Sequence, residues 1–235
     1  MCDVVIPLGT GSTWSDNELR YSLRSMELHH NVDNVYIIGH KPYWVKKLIH
    51  VPAHDVPGLE HKEYNILRKI LTACKMPSLS QDFIFMNDDH FLLGPVPTPC
   101  YERTLEETIL NRSSHDAYYF ALDNTLRALT KADRPTNNFD VHCPIVYNKH
   151  DFIKVTETYD MTLHYGYVIK SLYCNTVGIE GEHCTDMKLT QRLRCAQIDK
   201  MIEGRGWFSI GDGAINSELG IFLNYLYPTK SKYEK

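Results

Sequence analysis

Phe83-Ile84-Phe85-Met86-Asn87-Asp88-Asp89-His90 runs through four apolar residues and then, without transition, into an amide, two carboxylates and an imidazole. Four apolar residues in a row suit a strand buried on both faces, as in the middle of a parallel sheet. Two adjacent carboxylates cannot continue it, because successive side chains point to opposite faces and one would be forced into the core. The strand therefore ends at Met86 and the chain turns. In open α/β sheets ligands bind there, just outside the carboxyl ends of the strands. Hard carboxylate oxygens suit a divalent cation, the usual companion of a diphosphate. The alternative is a pair of aspartates capping the turn ahead of Gly94-Pro95.

Working outward, short apolar runs alternate with longer amphipathic segments, the pattern of a sheet covered by helices. The spacing predicts strands over 3–8, 34–38, 48–51, 82–86, 117–121, 144–147 and 207–210. It predicts helices over 16–30, 59–73, 104–111, 151–158, 162–174, 189–198 and 214–226. No repeat, low-complexity tract or Gly/Ser linker divides the chain, so residues 1–235 read as a single domain.

Ser15-Asp16-Asn17-Glu18 reads as a capping box opening the first helix, whose Leu19, Leu23 and Met26 recur at helical spacing. Just before it, Gly9-Thr10-Gly11-Ser12 joins a strand to a helix N-terminus. Such a loop can hold phosphate on free backbone N–H groups and the helix dipole, or can be only a turn. It is neither a dinucleotide fingerprint nor a P-loop. Arg20 and Arg24, four residues apart, share one helix face. They can offer forked donors to diphosphate oxygens, or form a solvated face or ion pairs with Glu27 or Asp16.

The 235 residues are 43% hydrophobic and 23% charged, which excludes a disordered chain, a collagen-like fibre and a coiled coil. A net charge of −4 gives no global attraction to nucleic acid. The seven cysteines are odd in number and none is paired at two-residue spacing, so they read as reduced thiols of a cytoplasmic protein. The opening Met-Cys-Asp-Val-Val-Ile-Pro-Leu-Gly lacks a basic leader, and no apolar stretch is long enough for a bilayer. No membrane partner is expected.

The segment Asp16-Asn17-Glu18-Leu19-Arg20-Tyr21-Ser22-Leu23-Arg24-Ser25, followed by Val35-Tyr36-Ile37-Ile38, resembles a motif of the Stealth family of capsular-polysaccharide and sugar-phosphate transferases. Residues 83–89 resemble that family's second motif, and His142-Cys143-Pro144 is similar to a later H-x-P element. The first strand departs from the family, with Val-Ile-Pro-Leu-Gly-Thr-Gly-Ser in place of an aromatic segment. The resemblance implies a single-domain, glycosyltransferase-A-like (Rossmann-like) α/β fold, a mixed sheet flanked by helices. Residues 1–100 would form its nucleotide-binding half and 101–235 its acceptor side. A short phage-type sugar transferase is one form this could take.

It also implies the expected activity, transfer of a sugar from a nucleotide-diphosphate sugar, a UDP-sugar foremost, to an acceptor hydroxyl. Divalent Mn or Mg is the expected cofactor, with Asp88, Asp89 and His183 as its ligands. Gly9, Thr10, Gly11, Glu18, Arg20, Arg24 and Asn87 would hold the donor. Asp89, His142 and Asp186 are the expected catalytic groups, with His142 either a ligand or the base that deprotonates the acceptor. His183 and Asp186 fall in the polar stretch 180–188, whose alternative reading is a loop with Asp186 as a helix cap. Asp212, in a Gly-Asp-Gly turn, reads as a helix cap or a contact to acceptor or ribose. The tail 230–235 reads as a charged terminus ordered only by ligand.

Two other readings stand beside this one: Stealth-type sugar-1-phosphate transfer, and a non-catalytic nucleotide- or glycan-binding module. The acceptor would be a glycan, a protein or hydroxymethylated bases in DNA. For DNA, Lys188, Arg192, Arg194, Lys200 and Arg205 supply a local basic cluster, and Lys41, Lys46 and Lys47 a smaller one.

Overall fold

The computed structural model describes residues 2–235. In chain order the elements are β1 (Cys2–Leu8), α1 (Asn17–His29), β2 (Val32–Gly39), β3 (Ile49–Val51), α2 (Lys62–Cys74), β4 (Asp82–Phe85), β5 (His90–Leu92), β6 (Cys100–Tyr101) and α3 (Leu105–Leu110). They continue with α4 (Ala117–Lys131), β7 (Ile145–Asn148), α5 (Lys149–Thr158), α6 (Ile169–Val177), β8 (Glu182–His183), β9 (Lys188–Leu189), α7 (Cys195–Ile202), β10 (Trp207–Ile210) and α8 (Ser217–Leu226).

Five strands form the main sheet in the order β3-β2-β1-β4-β7, parallel except for β7, which runs antiparallel to β4. Strand β1 sits between β2 and β4, with Val4 opposite Val35 on one side and Ile84 on the other. Its alternation divides the core. Val4, Ile6 and Leu8 pack with Leu19, Leu23 and Met26 of α1 on one face. Val5, Phe83, Phe85 and Tyr147 pack against α2, α4, α5 and α6 on the other. The chain leaves β1 for β2 and later inserts β4 on β1's opposite side, so the strand order reverses between β1 and β4. The loops after those two strands, 9–16 and 86–89, are thereby brought together at the carboxyl end of the sheet, the switch point at which open α/β sheets bind ligands. A second sheet, β5-β10-β9, packs with α7 and α8 around Phe91, Phe208 and Phe222.

Several expectations are corrected. Residues 117–121 are not a strand but the start of α4, where the Asp116 side chain accepts the Tyr119 N–H. A five-residue apolar run fits either element, and this one continues for three more turns with Ala121, Leu122, Thr125 and Leu129 buried. The helix expected over 162–174 begins only at Ile169, and the one expected over 189–198 is β9, a loop and then α7. Ser15 and Glu18 form no capping box. Ser15 and Asp16 take left-handed conformations (φ 58° and 56°), and Asp16 caps α1 without a side-chain bond. The loop is held instead by Ser12, whose Oγ accepts the N–H groups of Trp14 (3.1 Å) and Asp16 (2.8 Å).

The cysteines are not all free thiols, because Cys100 and Cys184 form a disulfide with their Cα atoms 5.8 Å apart. It fastens β8 beside β6. The cytoplasmic expectation rested on reduced thiols, and this pair removes that support. Among the described residues no helix is long and apolar enough to cross a membrane.

The tail is packed, not loose. Glu234 is 2% exposed and accepts two bonds from Arg24 (2.7 and 2.8 Å) and one from Arg20 (3.0 Å). Arg20 also lies over the Trp44 ring at 4.1 Å. The face shared by the two arginines therefore grips the tail, not a diphosphate. Their spacing was read correctly and their partner was not. Burial alone would raise the Glu234 carboxyl, but the Arg24 bond, the Ser231 N–H and the Arg20 bond outweigh it and hold the pKa down at about 2. A depressed carboxyl stabilises the fold above its unfolded pKa, so this contribution is full above about pH 4.5 and is lost as pH falls through about 2. At about 1.4 kcal/mol per unit it is on the order of 3 kcal/mol. Urea unfolding of Glu234→Gln should show that deficit at pH 7 and almost none at pH 2. An equal deficit at both would disprove the ionic account.

Candidate active site

The loop after β1 and the turn after β4 face each other across a cavity of about 420 Å³ lined by Gly9, Gly11, Ser12, Glu18, Asp88 and the 210–212 turn. A second cavity, about 490 Å³, extends toward α2, α4 and α6 and is lined by Asn87, His90, Asp140 and His142 among others. Lys62, Asp89 and Lys188 line both, so the two cavities meet at Asp89.

The end of β1 is held by a buried cation the sequence reading overlooked. Lys69 of α2 donates to the Leu8 carbonyl (2.9 Å) and pairs with Asp55 (2.6 Å). On the far side, Thr13 donates to Asp212 Oδ1 at 3.1 Å and ties the first loop to the 211–213 turn. Asp212 is therefore a loop clasp, and Asn216 caps α8.

The carboxylates at the junction are only partly compensated. Asp89 Oδ1 and Glu18 Oε2 are buried without a hydrogen-bond partner. Burial, then the charges of Asp89 and Glu18, push the Asp88 carboxyl up to about 7. Burial also raises Asp89, against the opposing charges of Lys188 and His142. Lys188 Nζ stands 3.9 Å from Asp89 Oδ2. His90 is fully buried, and burial drives its pKa well below the usual range, so it is neutral. Its Nδ1 accepts the Asn87 N–H at 3.3 Å, which leaves Nε2–H 3.8 Å from Asp89 Oδ1. Orphaned hard oxygens beside a glycine loop fit a divalent cation. His183 is not with them, since it is exposed on β8 with its ring edge-on to Tyr101 at 6.1 Å. Among the described residues no three His, Cys, Asp or Glu side chains are grouped to hold an ion unaided. A cation here would complete its shell from water and phosphate oxygens, as Mg²⁺ usually does.

His142 and Asp186 are brought together. Asp186 Oδ2 lies 2.7 Å from His142 Nδ1, and its Oδ1 accepts the His142 backbone N–H at 3.0 Å. Burial would raise the Asp186 carboxyl, but the hydrogen bonds and charge of His142 outweigh it and hold the pKa below the usual value. An ionised carboxylate only accepts, so Nδ1 carries a proton and Nε2 is the nitrogen left to exchange one with a substrate. Asp186 is thus a partner to His142, not a helix cap.

Lys170, which the sequence reading also passed over, is 6% exposed and donates to the carbonyls of Val141 and Cys143, both at 2.6 Å. It braces the backbone on either side of His142. A lysine within Tyr-Val-Ile-Lys-Ser-Leu, otherwise apolar, was the available signal.

Of the expected site residues, Gly9, Gly11, Glu18, Asp88 and Asp89 surround the smaller cavity, and Asn87, Asp89 and His142 line the larger. Thr10 lines neither. Of the basic cluster, Lys188 belongs to this junction, whereas Lys200 and Arg205 share a separate hollow with Asp199 and Glu203.

The fold places the chain in a structural class. The galactosyltransferase LgtC, in complex with donor and acceptor sugar analogues, matches it with a TM-score of 0.50 at 10% identity, over 98% of each chain. An active-site mutant of LgtC gives 0.51 at 9% identity, again over 98% of each. Mouse xyloside xylosyltransferase 1 in its apo form gives 0.42 at 11% identity, over 91% of this chain and 99% of its own. The chain has the glycosyltransferase-A-like fold, a mixed α/β sheet flanked by helices, over nearly its whole length. No protein-family model matches the sequence, and no curated protein does.

Proposed function

We propose that this chain transfers a glycosyl unit from a nucleotide-diphosphate sugar to an acceptor hydroxyl. The observation that supports this most is the meeting of two cavities at Asp89, one bounded by a glycine loop and the other by a histidine with an aspartate behind it. In this reading the diphosphate lies along residues 9–12, and the acceptor approaches through the larger cavity. Residues 1–100 supply most of the nucleotide side and 101–235 most of the acceptor side, with Asp212 crossing over. Asp88 and Asp89 would hold the cation, whose charge would neutralise the leaving diphosphate. Lys62 and Lys188 add positive charge at the junction. His142 Nε2 takes the proton from the acceptor hydroxyl, and Asp186 fixes the tautomer and stabilises the resulting imidazolium.

The resemblance of residues 16–25 and 83–89 to the Stealth motifs favours a second reading on the same site. There a sugar-1-phosphate moves, attack falls on phosphorus, and charge neutralisation again dominates. Released nucleoside diphosphate means glycosyl transfer, and released monophosphate means sugar-phosphate transfer. Salt separates the acceptor classes, because turnover on hydroxymethylated DNA falls steeply as salt rises.

The first test is thermal unfolding with nucleotides, with and without Mn²⁺. At a hundredfold excess over Kd a ligand of the folded state adds about 2.7 kcal/mol, or roughly 5–10 °C for a chain of this size. A uridine nucleotide should give that shift only with metal. No shift from any nucleotide would remove the donor site and leave the glycan-binding module.

A further inference from the structure

One wall of the larger cavity plays no part in the chemistry just described. Glu63 at the start of α2 and Asp140 face each other there, and Tyr118 donates to Asp140 Oδ2 at 2.7 Å. Burial, and then the Asp140 charge, push the Glu63 carboxyl up to about 8, so at neutral pH it both donates and accepts hydrogen bonds. Lys170 spends two of its three protons on carbonyls and lines the same cavity.

Tyr165 stands among them in a left-handed backbone (φ 66°), which is strained for an aromatic residue. The strain is over-determined. Asn124 donates to the carbonyls on both sides of it, His164 at 2.9 Å and Gly166 at 3.0 Å. Phe120 stacks behind the ring at 4.6 Å and 18°. A half-buried aromatic held at such cost against a cavity is a built platform.

Charge narrows what could rest on it. Beside the protonated Glu63, four Lys or Arg side chains line the cavity against three Asp, a near balance that suits neither a polyanion nor a cation. Arg112 is already paired with Asp116 at 2.7 Å. Hydroxyl groups donate and accept at once, which is what mixed carboxyl and ammonium groups satisfy.

We propose that this wall seats one uncharged, polyhydroxylated ring, with Glu63 and Asp140 bonding its hydroxyls, Lys170 donating to a ring substituent oxygen and Tyr165 covering its C–H face. The seat deepens the glycosyltransferase reading and rests on it for its role, though not for its existence. The ring belongs either to the transferred sugar or to the acceptor.

The test is amide NMR of the full chain titrated with methyl glucoside, methyl galactoside, methyl mannoside and methyl N-acetylglucosaminide, with glucuronate and glucosamine as charged controls. At least one neutral glycoside should move the Gly166 amide, and Glu63→Gln and Tyr165→Ala should each weaken it about tenfold. Glu63→Gln keeps the side-chain shape and guards against a folding defect in the other variant. Nucleotides should move Gly11 instead. If the ring is the transferred sugar, Glu63→Gln erases the affinity of nucleotide sugar over bare nucleotide. If it is the acceptor's, that difference stands and the acceptor KM rises. No response at Gly166 while nucleotides move Gly11, tighter binding of a charged control, or wild-type affinity in both variants overturns the seat. A glycoside response without any nucleotide response keeps the seat and overturns the transferase reading.

Discussion

Asp89→Asn should lower turnover by about a thousandfold, since under the proposed function it removes a ligand of the charge-neutralising cation, and that would cost several kcal/mol of transition-state stabilisation. The size of the effect follows from position, because Asp89 lines both cavities and its Oδ1 is buried without a partner. Asp88→Asn should fail similarly, with an opposite effect on stability. The folded chain pushes the Asp88 carboxyl up to about 7 from an ordinary 3.8, so it binds that proton more tightly than the unfolded chain does. The associated stability is full below about pH 4 and is lost as pH rises to about 7. Asparagine has no charge to develop. In EDTA at pH 8, Asp88→Asn should therefore exceed the wild type by roughly 1–3 kcal/mol, and the two should coincide at pH 4. Mn²⁺ should raise the melting temperature of the wild type and leave the variant unchanged. A variant that is inactive and also less stable at pH 8 would mean that Asp88 is structural.

His142→Ala should cost between a hundredfold and ten-thousandfold in kcat, the usual worth of a positioned base. The fold should survive, because alanine retains the backbone N–H that Asp186 Oδ1 accepts. Nucleotide affinity, read at the other cavity, should not change. Asp186→Asn should lose activity on a similar scale, since an amide no longer enforces the Nδ1–H tautomer. Combining the two should add little to either alone, because they act as one unit. A fully additive double variant would separate the pair and remove Asp186 from the mechanism.

What could be read from the sequence follows how local each signal is. Residues 83–89 announce their own fate, since a buried strand meeting two carboxylates has one physical outcome, and β4 ends at Phe85, one residue before the Met86 that argument gives. The capping box of Thr104 and Glu107 on α3 is an equally local signal, within four residues, although only the helix over 104–111 is read from the sequence. Arg20 and Arg24 show the limit. Their shared face is a matter of helical period, but their partner Glu234 lies 210 positions from Arg24 and no pattern points to it. His142 and Asp186 were each nominated separately, and only the fold pairs them across 44 residues. The Cys100–Cys184 bond crosses 84 residues in the same way. Lys170, Glu63 and Tyr165 were missed because their meaning comes from the cavity they share, which Glu63 reaches from α2, Lys170 from α6 and Tyr165 from the turn before α6.

The tail clasp also bears on how the chain reaches its native state. Helix α1 presents its two guanidinium groups within the first 24 positions, yet Glu234, and the Tyr233 carbonyl that receives the Lys46 N–H, are synthesised some 200 residues later. Chains emerging from a ribosome ordinarily consolidate their leading portion first. Here that portion stays unfinished, with Arg24 lacking its carboxylate, until Glu234 arrives, and closing so long a loop is slow compared with forming local contacts. Completion of the first α/β unit therefore waits on residues 233 and 234, and a product cut short of them would be marked out by an open α1 face.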